Sequence, residues 1–153
     1  MLRLIPPPLH RQLYRLAYSL RRHWLRLRGG RLYGCHIIAR DGEGRLLMVR
    51  HSYGGGQWEF PGGGIGRREE PEAAARREFA EELRCGLTGL RCLGTIEEPY
   101  LGATNEVHVF TGVADGEPRA DGREVVEARF FLRDALPRPM SRKAAQRLAM
   151  LDG

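Results

Sequence analysis

Residues 62–83 read GGGIGRREEPEAAARREFAEEL, and the way this stretch folds decides the rest of the chain. Pro71 suits a first helical position, where its missing N–H is not needed and its φ is already helical. Glu69 and Glu70 just before it mark the same helix start. Ala73, Ala74 and Ala75 favour propagation, and the spacing predicts a helix to about Cys85 with Gly86 as its stop. On that helix Ala75, Phe79 and Leu83 share a face that can bury, while Glu78, Glu81 and Glu82, at i, i+3 and i+4, share another. Three like charges on one face repel one another. Such a cluster is either a solvated acidic face or a site for a hard divalent cation such as Mg²⁺. Gly62-Gly63-Gly64 reads as a flexible loop whose backbone can come close to a phosphate or a metal.

Outward from the helix the pattern is that of short strands. Leu32–Arg40 and Leu46–Arg50 flank Asp41-Gly42-Glu43-Gly44, a hairpin turn. His51–Gln57 is a glycine-rich loop and Trp58–Phe60 a short apolar piece. Leu87–Glu98, Glu106–Val113 and Val125–Leu132 read as strands, Asp115–Gly122 as a polar loop, and Ser141–Leu151 as a closing helix. Strands surrounding a long helix, with another helix at the end, indicate a mixed α/β domain.

The 153 residues suffice for one compact domain and an appendage. With 42% hydrophobic and 29% charged residues the chain is not wholly disordered. No run approaches 18 apolar residues, so no transmembrane segment is expected, nor a secretory leader, because Met1–Ile5 meets Pro6-Pro7-Pro8 at once. Three cysteines without a Cys-x-x-Cys pair argue against a disulfide framework or structural zinc, and a cytoplasmic location is expected. The five histidines show no ligand spacing and read as surface or core residues.

The net charge of +6 is uneven. Nine arginines and no acid fall in residues 1–40, whereas residues 41–153 carry 16 basic against 19 acidic groups. The basic character therefore belongs to an arm, residues 1–30, ahead of a domain over residues 31–153. Within the arm Leu9, Leu13, Leu16, Leu20, Trp24 and Leu27 fall on one helical arc and Arg11, Arg15, Arg22 and Arg26 opposite. Three uses stay open: packing on its own domain or in a homodimer, contact with nucleic acid or an anionic membrane surface, or targeting.

Gly63, five residues, Glu69, seven residues, then Arg77-Glu78-Phe79-Ala80-Glu81-Glu82 resembles the Nudix box, the signature of Nudix hydrolases. Trp58-Glu59-Phe60-Pro61-Gly62-Gly63-Gly64 and Pro71-Glu72-Ala73-Ala74 are similar to that family too, and the likeness runs from about Leu32 to Leu136. Where the family pattern has a glycine this chain has Arg84; the next glycine is Gly86, as though half a helical turn were added. The loop also reads Gly66-Arg67-Arg68-Glu69, where members more often carry an acid and then a glycine.

The resemblance implies an αβα sandwich around a central mixed β-sheet. It also implies Mg²⁺- or Mn²⁺-assisted hydrolysis of the pyrophosphate bond of a nucleoside diphosphate linked to another moiety. Glu78, Glu81 and Glu82 are then the metal ligands, with the Gly63 carbonyl, and Arg77 orients a box carboxylate such as Glu69. The attacking water needs a base, either a helix carboxylate or one from a later loop. Glu124 is the candidate for the latter, and an ordinary turn residue otherwise. For substrate, Tyr53 and Tyr100 can stack a base and Arg50, His51, Arg67 and Arg68 can meet phosphates, while Trp58 reads as core. The alternative function is a non-catalytic Nudix-fold module that binds nucleotide or RNA through the basic arm.

Overall fold

The computed structural model describes residues 30–153 and, in the arm, Leu9, Gln12, Leu13, Leu16 and Ala17. Those five are helical, and Leu9, Leu13 and Leu16 are about half-exposed. The remainder of the expected arm helix lies outside the described residues. No helix among the described residues is long and apolar enough to cross a membrane.

Seven strands form one mixed sheet: β1 (Arg31–Arg40), β2 (Leu46–His51), β3 (Trp58–Glu59), β4 (Gly62–Gly64), β5 (Gly86–Tyr100), β6 (Ala103–Asp115) and β7 (Val125–Phe131). The order is β3-β2-β1-β6-β5, with β4 on β1 and β7 on β2. Among the strand pairs of the described residues only β1 and β6 are parallel, from Arg31↔Thr104 to Arg40↔Val113. Over residues 30–153 two α-helices, α1 (Pro71–Leu83) and α2 (Arg142–Ala149), and a 3₁₀ turn at Arg133–Ala135 accompany the sheet.

The helices cover opposite faces of the sheet, and the strands divide their side chains between two cores by the period of two. Cys35, Ile37 and Ala39 of β1 and Leu47 and Val49 of β2 pack with Ala74, Ala75, Phe79 and Leu83 of α1. Ile38, Leu46 and Met48 point the other way, toward Trp58, Phe60 and Ala144 of α2. Ile37–Ala39 and Leu46–Val49 thus read as continuous apolar runs because both faces are buried there. Phe79 alone, fully enclosed, contributes about 2–3 kcal/mol of burial.

Three details depart from expectation. Gly62–Gly64 is a strand: it lies antiparallel on β1, Cys35 opposite Gly63. Glycine permits that approach, since a Cβ at Gly62 would fall 2.0 Å from the Cys35 carbonyl oxygen. Second, α1 stops at Leu83, short of Cys85. Arg84 itself takes the left-handed conformation, φ 52° and ψ 36°, and its N–H caps the Ala80 carbonyl. The glycine is replaced by arginine in place, with no half-turn added. Third, β1 and β2 pair only at Arg40↔Leu46 beside the turn; beyond it β4 takes the free edge of β1. The residues considered next gather where those two strands part.

Candidate active site

The site begins with the pairing of α1 and β4. Glu82 is only 2% exposed, a carboxylate in the last turn of the helix and turned inward. The Gly62 N–H donates to its Oε2 at 3.2 Å, and His51 Nε2 lies 3.2 Å from its Oε1. One turn earlier, Glu78 packs on Gly63 so closely that a Cβ there would lie 2.4 Å from the Glu78 carboxyl carbon. Glu81 behaves differently, with its side chain 60% exposed.

Arg77 organises this face. Its Nε and Nη2 donate to the two oxygens of Glu69 at 2.7 and 2.9 Å. Nη1 reaches Glu78 at 2.8 Å and Glu81 at 3.3 Å, and Nη2 also donates to the Gly64 carbonyl at 3.0 Å. The bidentate grip of Arg77, joined by the Gly66 N–H, holds the Glu69 carboxyl down at about 2. One guanidinium therefore ties the loop ahead of α1 to two of the helix carboxylates.

Glu124 arrives from the opposite side. The last carbonyls of α1 accept from the loop after β6, Leu83 from Arg119 N–H at 2.7 Å and Glu82 from Asp121 N–H at 3.0 Å. Asp121 Oδ1 then accepts the N–H groups of Arg123, Glu124 and Val125 at 2.9–3.0 Å. These bonds fold the loop into a turn that presents Glu124 beside Glu82, where Tyr53 donates to its Oε1 at 2.8 Å.

The electrostatics have one sign. Burial raises the pKa of Glu78 above the ordinary value against the pull of Arg77, with Glu124 and Glu81 adding to the rise. Burial raises Glu82 despite His51, with Glu78 contributing. Burial raises Glu124 as well, and the charge of Glu82 is its next largest cause. His51 is lifted: burial opposes its charge, but the hydrogen bond and charge of Glu82, with Glu59 and Glu124, outweigh it. These carboxylates hold more negative charge than neighbouring cations offset. Among the described residues no three His, Cys, Asp or Glu side chains converge closely enough to hold one ion as they stand. The donors are nevertheless hard carboxylate oxygens without a thiolate among them, which suits Mg²⁺ or Mn²⁺.

A cavity of about 470 Å³ opens above these groups. Gly62, Gly63, His51, Tyr53 and Glu124 line it, and so do Tyr100 and Lys143.

A family model, the NUDIX domain, matches residues 31–151. The chain belongs to the Nudix family. An oxidized purine nucleoside triphosphate hydrolase from Danio rerio is 33% identical over 85 residues, 54% of this chain and 54% of that protein. An RNA pyrophosphohydrolase from Saccharophagus degradans is 41% identical over 61 residues, 40% of this chain and 36% of that protein. The chain thus spans between about a third and a half of the length of these relatives. The crystal structure of a MutT NUDIX hydrolase from Burkholderia pseudomallei superposes with a TM-score of 0.72 at 26% identity, covering 79% of this chain and 98% of that one.

Within this Nudix fold the remaining residues singled out from the sequence are dispersed. Arg50 faces away from the carboxylates: it pairs with Glu127 and lies 5.3 Å over the Trp58 ring. Arg67 is exposed in the turn between β4 and α1. Tyr100 lines the cavity, with Lys143 Nζ 5.0 Å from its ring centroid. Tyr53 lines it too, but its hydroxyl serves Glu124. His51, read from the sequence as a phosphate contact or an ordinary histidine, is instead the partner of Glu82. The signal was parity: residues 47, 49 and 51 share the α1 face of β2, and the last of them meets the helix where Glu82 points in.

Proposed function

We propose that the protein is a Nudix hydrolase that cleaves the pyrophosphate bond of a nucleoside diphosphate linked to another moiety, with Mg²⁺ or Mn²⁺ as its cofactor. The observation that carries this reading is the trio Glu78, Glu82 and Glu124, buried carboxylates whose ionisation neighbouring carboxylates oppose, with Arg77 on Glu78 and His51 on Glu82 compensating only in part. Two relatives named for hydrolysing RNA pyrophosphate and oxidized purine nucleoside triphosphates support the phosphoanhydride class.

Glu78, Glu81 and Glu82, with the Gly63 carbonyl, would hold the cation. Bound there, a divalent ion offsets the charge of the diphosphate and makes water a better nucleophile. The chain's own groups do the rest. Arg77 restrains Glu78 and keeps Glu69 ionised. The Gly62 N–H and His51 hold Glu82 in its buried position. Glu124 accepts the proton of the attacking water on Oε2, the oxygen Tyr53 leaves open. Its raised pKa brings it closer to the operating pH, which favours a general base. Tyr100 offers an aromatic face to the nucleotide, beside Lys143, whose charge Glu98 pairs.

The test is product release from a panel of nucleoside triphosphates, nucleotide sugars, dinucleoside polyphosphates and 5′-triphosphorylated RNA, with Mg²⁺ and with chelator. Metal-dependent release of phosphate, pyrophosphate or nucleoside monophosphate is expected from at least one class. No turnover on any, together with salt-sensitive RNA binding that disappears on removing residues 1–30, would instead establish a binding module.

A further inference from the structure

Two rings beneath the cavity have a role that the carboxylates do not explain. His51 and Tyr53 stack, with centroids 5.1 Å apart and planes inclined by 27°. Each holds a different acid: His51 Nε2 sits 3.2 Å from Glu82 Oε1, and the Tyr53 hydroxyl donates to Glu124 Oε1 at 2.8 Å. Glu82 belongs to a helix and Glu124 to a loop more than forty residues later, so the ring pair bridges two elements that pack from opposite sides.

The backbone around the pair is built to the same end. The ladder between β2 and β7 slips between Arg50 and His51, so that Arg50 faces Glu127 and His51 faces Val125. The extra residue is Val126 of β7, and such an insertion bends that strand and re-aims the side chains beyond it, toward Glu124. One residue further, the Ser52 N–H donates to the Glu124 carbonyl at 2.8 Å. Both the main chain and the side chain of Glu124 are thus tied to the segment that carries the rings. Past Tyr53 the chain enters Gly54-Gly55-Gly56, with positive φ at Gly54 and Gly56.

Two buried carboxylates that repel would separate if left to their own rotamers. We propose that His51 and Tyr53 form a stacked spacer that sets the position of Glu124 relative to Glu82. Both are positioning residues: the imidazole acts through the helix carboxylate, the phenol through the loop carboxylate, and the stack makes the two adjustments one. The inference rests on the hydrolytic reading for its kinetic arm but has an arm independent of it.

That independent arm is Mn²⁺ binding to the full chain without substrate, followed by the electron paramagnetic resonance signal of free Mn²⁺. His51→Phe keeps a stacking ring and removes the donor to Glu82; it is expected to weaken Mn²⁺ binding roughly 10- to 100-fold, as loss of a partner behind a ligand does. His51→Gln, which restores an N–H, is expected to recover most of that affinity. Tyr53→Phe keeps the stack and frees Glu124; it is expected to lower kcat about 10-fold or more with KM within twofold. The double variant His51→Gln/Tyr53→Phe is expected to lose less kcat than the product of the single losses, because the rings act as a unit. Unchanged Mn²⁺ affinity in folded His51→Phe and His51→Gln would overturn the proposal, even if no substrate is ever found. A Tyr53→Phe effect on KM alone would overturn it too, placing that ring against substrate. Melting temperatures of the metal-free variants within a few degrees of the parent confirm that these readouts are not unfolding; should His51→Phe fail to fold, His51→Gln and His51→Asn carry the same comparison.

Discussion

Two buried glutamates on opposite faces of one sheet have opposite fates. Glu82, on the α1 side, is 2% exposed, and burial raises its pKa. Glu98, on the α2 side, is 8% exposed, yet its pKa falls. Burial opposes ionisation in both; the difference lies in the partners. Glu98 accepts from Lys143 at 2.8 Å and from the wholly buried Arg147 at 2.8 Å, so two cations answer one anion. Glu82 has a backbone N–H and an imidazole, with Glu78 and Glu124 crowding the same space. One cluster is complete within the protein. The other carries excess charge, which a structure with only stability to serve has no reason to keep.

The sharpest way to break this contrast is to neutralise each glutamate in turn. Glu98→Gln leaves Arg147 buried without its counter-charge and is expected to cost about 3 kcal/mol or more in urea denaturation, as breaking a buried pair does. Glu82→Gln keeps the shape and the Gly62 contact while removing a repelled charge. Its metal-free fold is expected to be at least as stable as the parent. Its Mg²⁺-dependent turnover is expected to fall by about 100-fold or more. A Glu82→Gln variant that unfolds while Glu98→Gln is indifferent would reverse the assignment of the two clusters.

The two faces also bend two histidines in opposite directions, and this gives a smaller test. His36 is pushed down to about 3 by burial, then by Arg147, with His51 and Lys143 adding to the fall and Glu98 opposing it. The unfolded chain binds a proton on this imidazole below about 6.5, and the native one does not until about 3. Stability from this group is therefore full above pH 6.5 and drains as the pH falls, by up to about 1.4 kcal/mol per unit. Urea midpoints at pH 7, 6 and 5 are expected to fall less steeply in His36→Gln than in the parent. Equal slopes would mean that the α2 face does not suppress the charge.

What the sequence made legible follows the range of each interaction. The helix start at Pro71, the hairpin at Asp41–Gly44 and the mixed α/β architecture with two helices rest on local propensity and short periods, and the fold has them. The acidic triplet was legible as a pattern on a wheel, but which acid turns inward was not, because that depends on β4 lying under α1. The Gly62–Gly64 strand escaped for the same reason: it exists through pairing with β1, 28 positions away at Cys35↔Gly63. Nothing near Glu98 announces Arg147, 49 residues on. Glu124 stood out because it precedes a strand; the three N–H bonds to Asp121 that shape its turn lie within four residues.

The smallest expected effect concerns the way the two helices end. α2 closes on Met150 in the ordinary right-handed region, whereas α1 closes on Arg84 at φ 52°. A side chain in that region costs roughly 1 kcal/mol relative to glycine, because Cβ crowds the following carbonyl. The cost falls at the helix end whose last carbonyls hold the Glu124 loop, so strain and charge repulsion both belong to the α1 side. Arg84→Gly is expected to raise stability by about 1 kcal/mol, less whatever the added freedom of the unfolded chain takes back. Since Arg84 touches none of the carboxylates, kcat and KM are expected to stay within twofold. A destabilised Arg84→Gly variant would show that the arginine side chain holds the helix end more firmly than its backbone conformation weakens it. The α1 face would then be strained by its carboxylates alone.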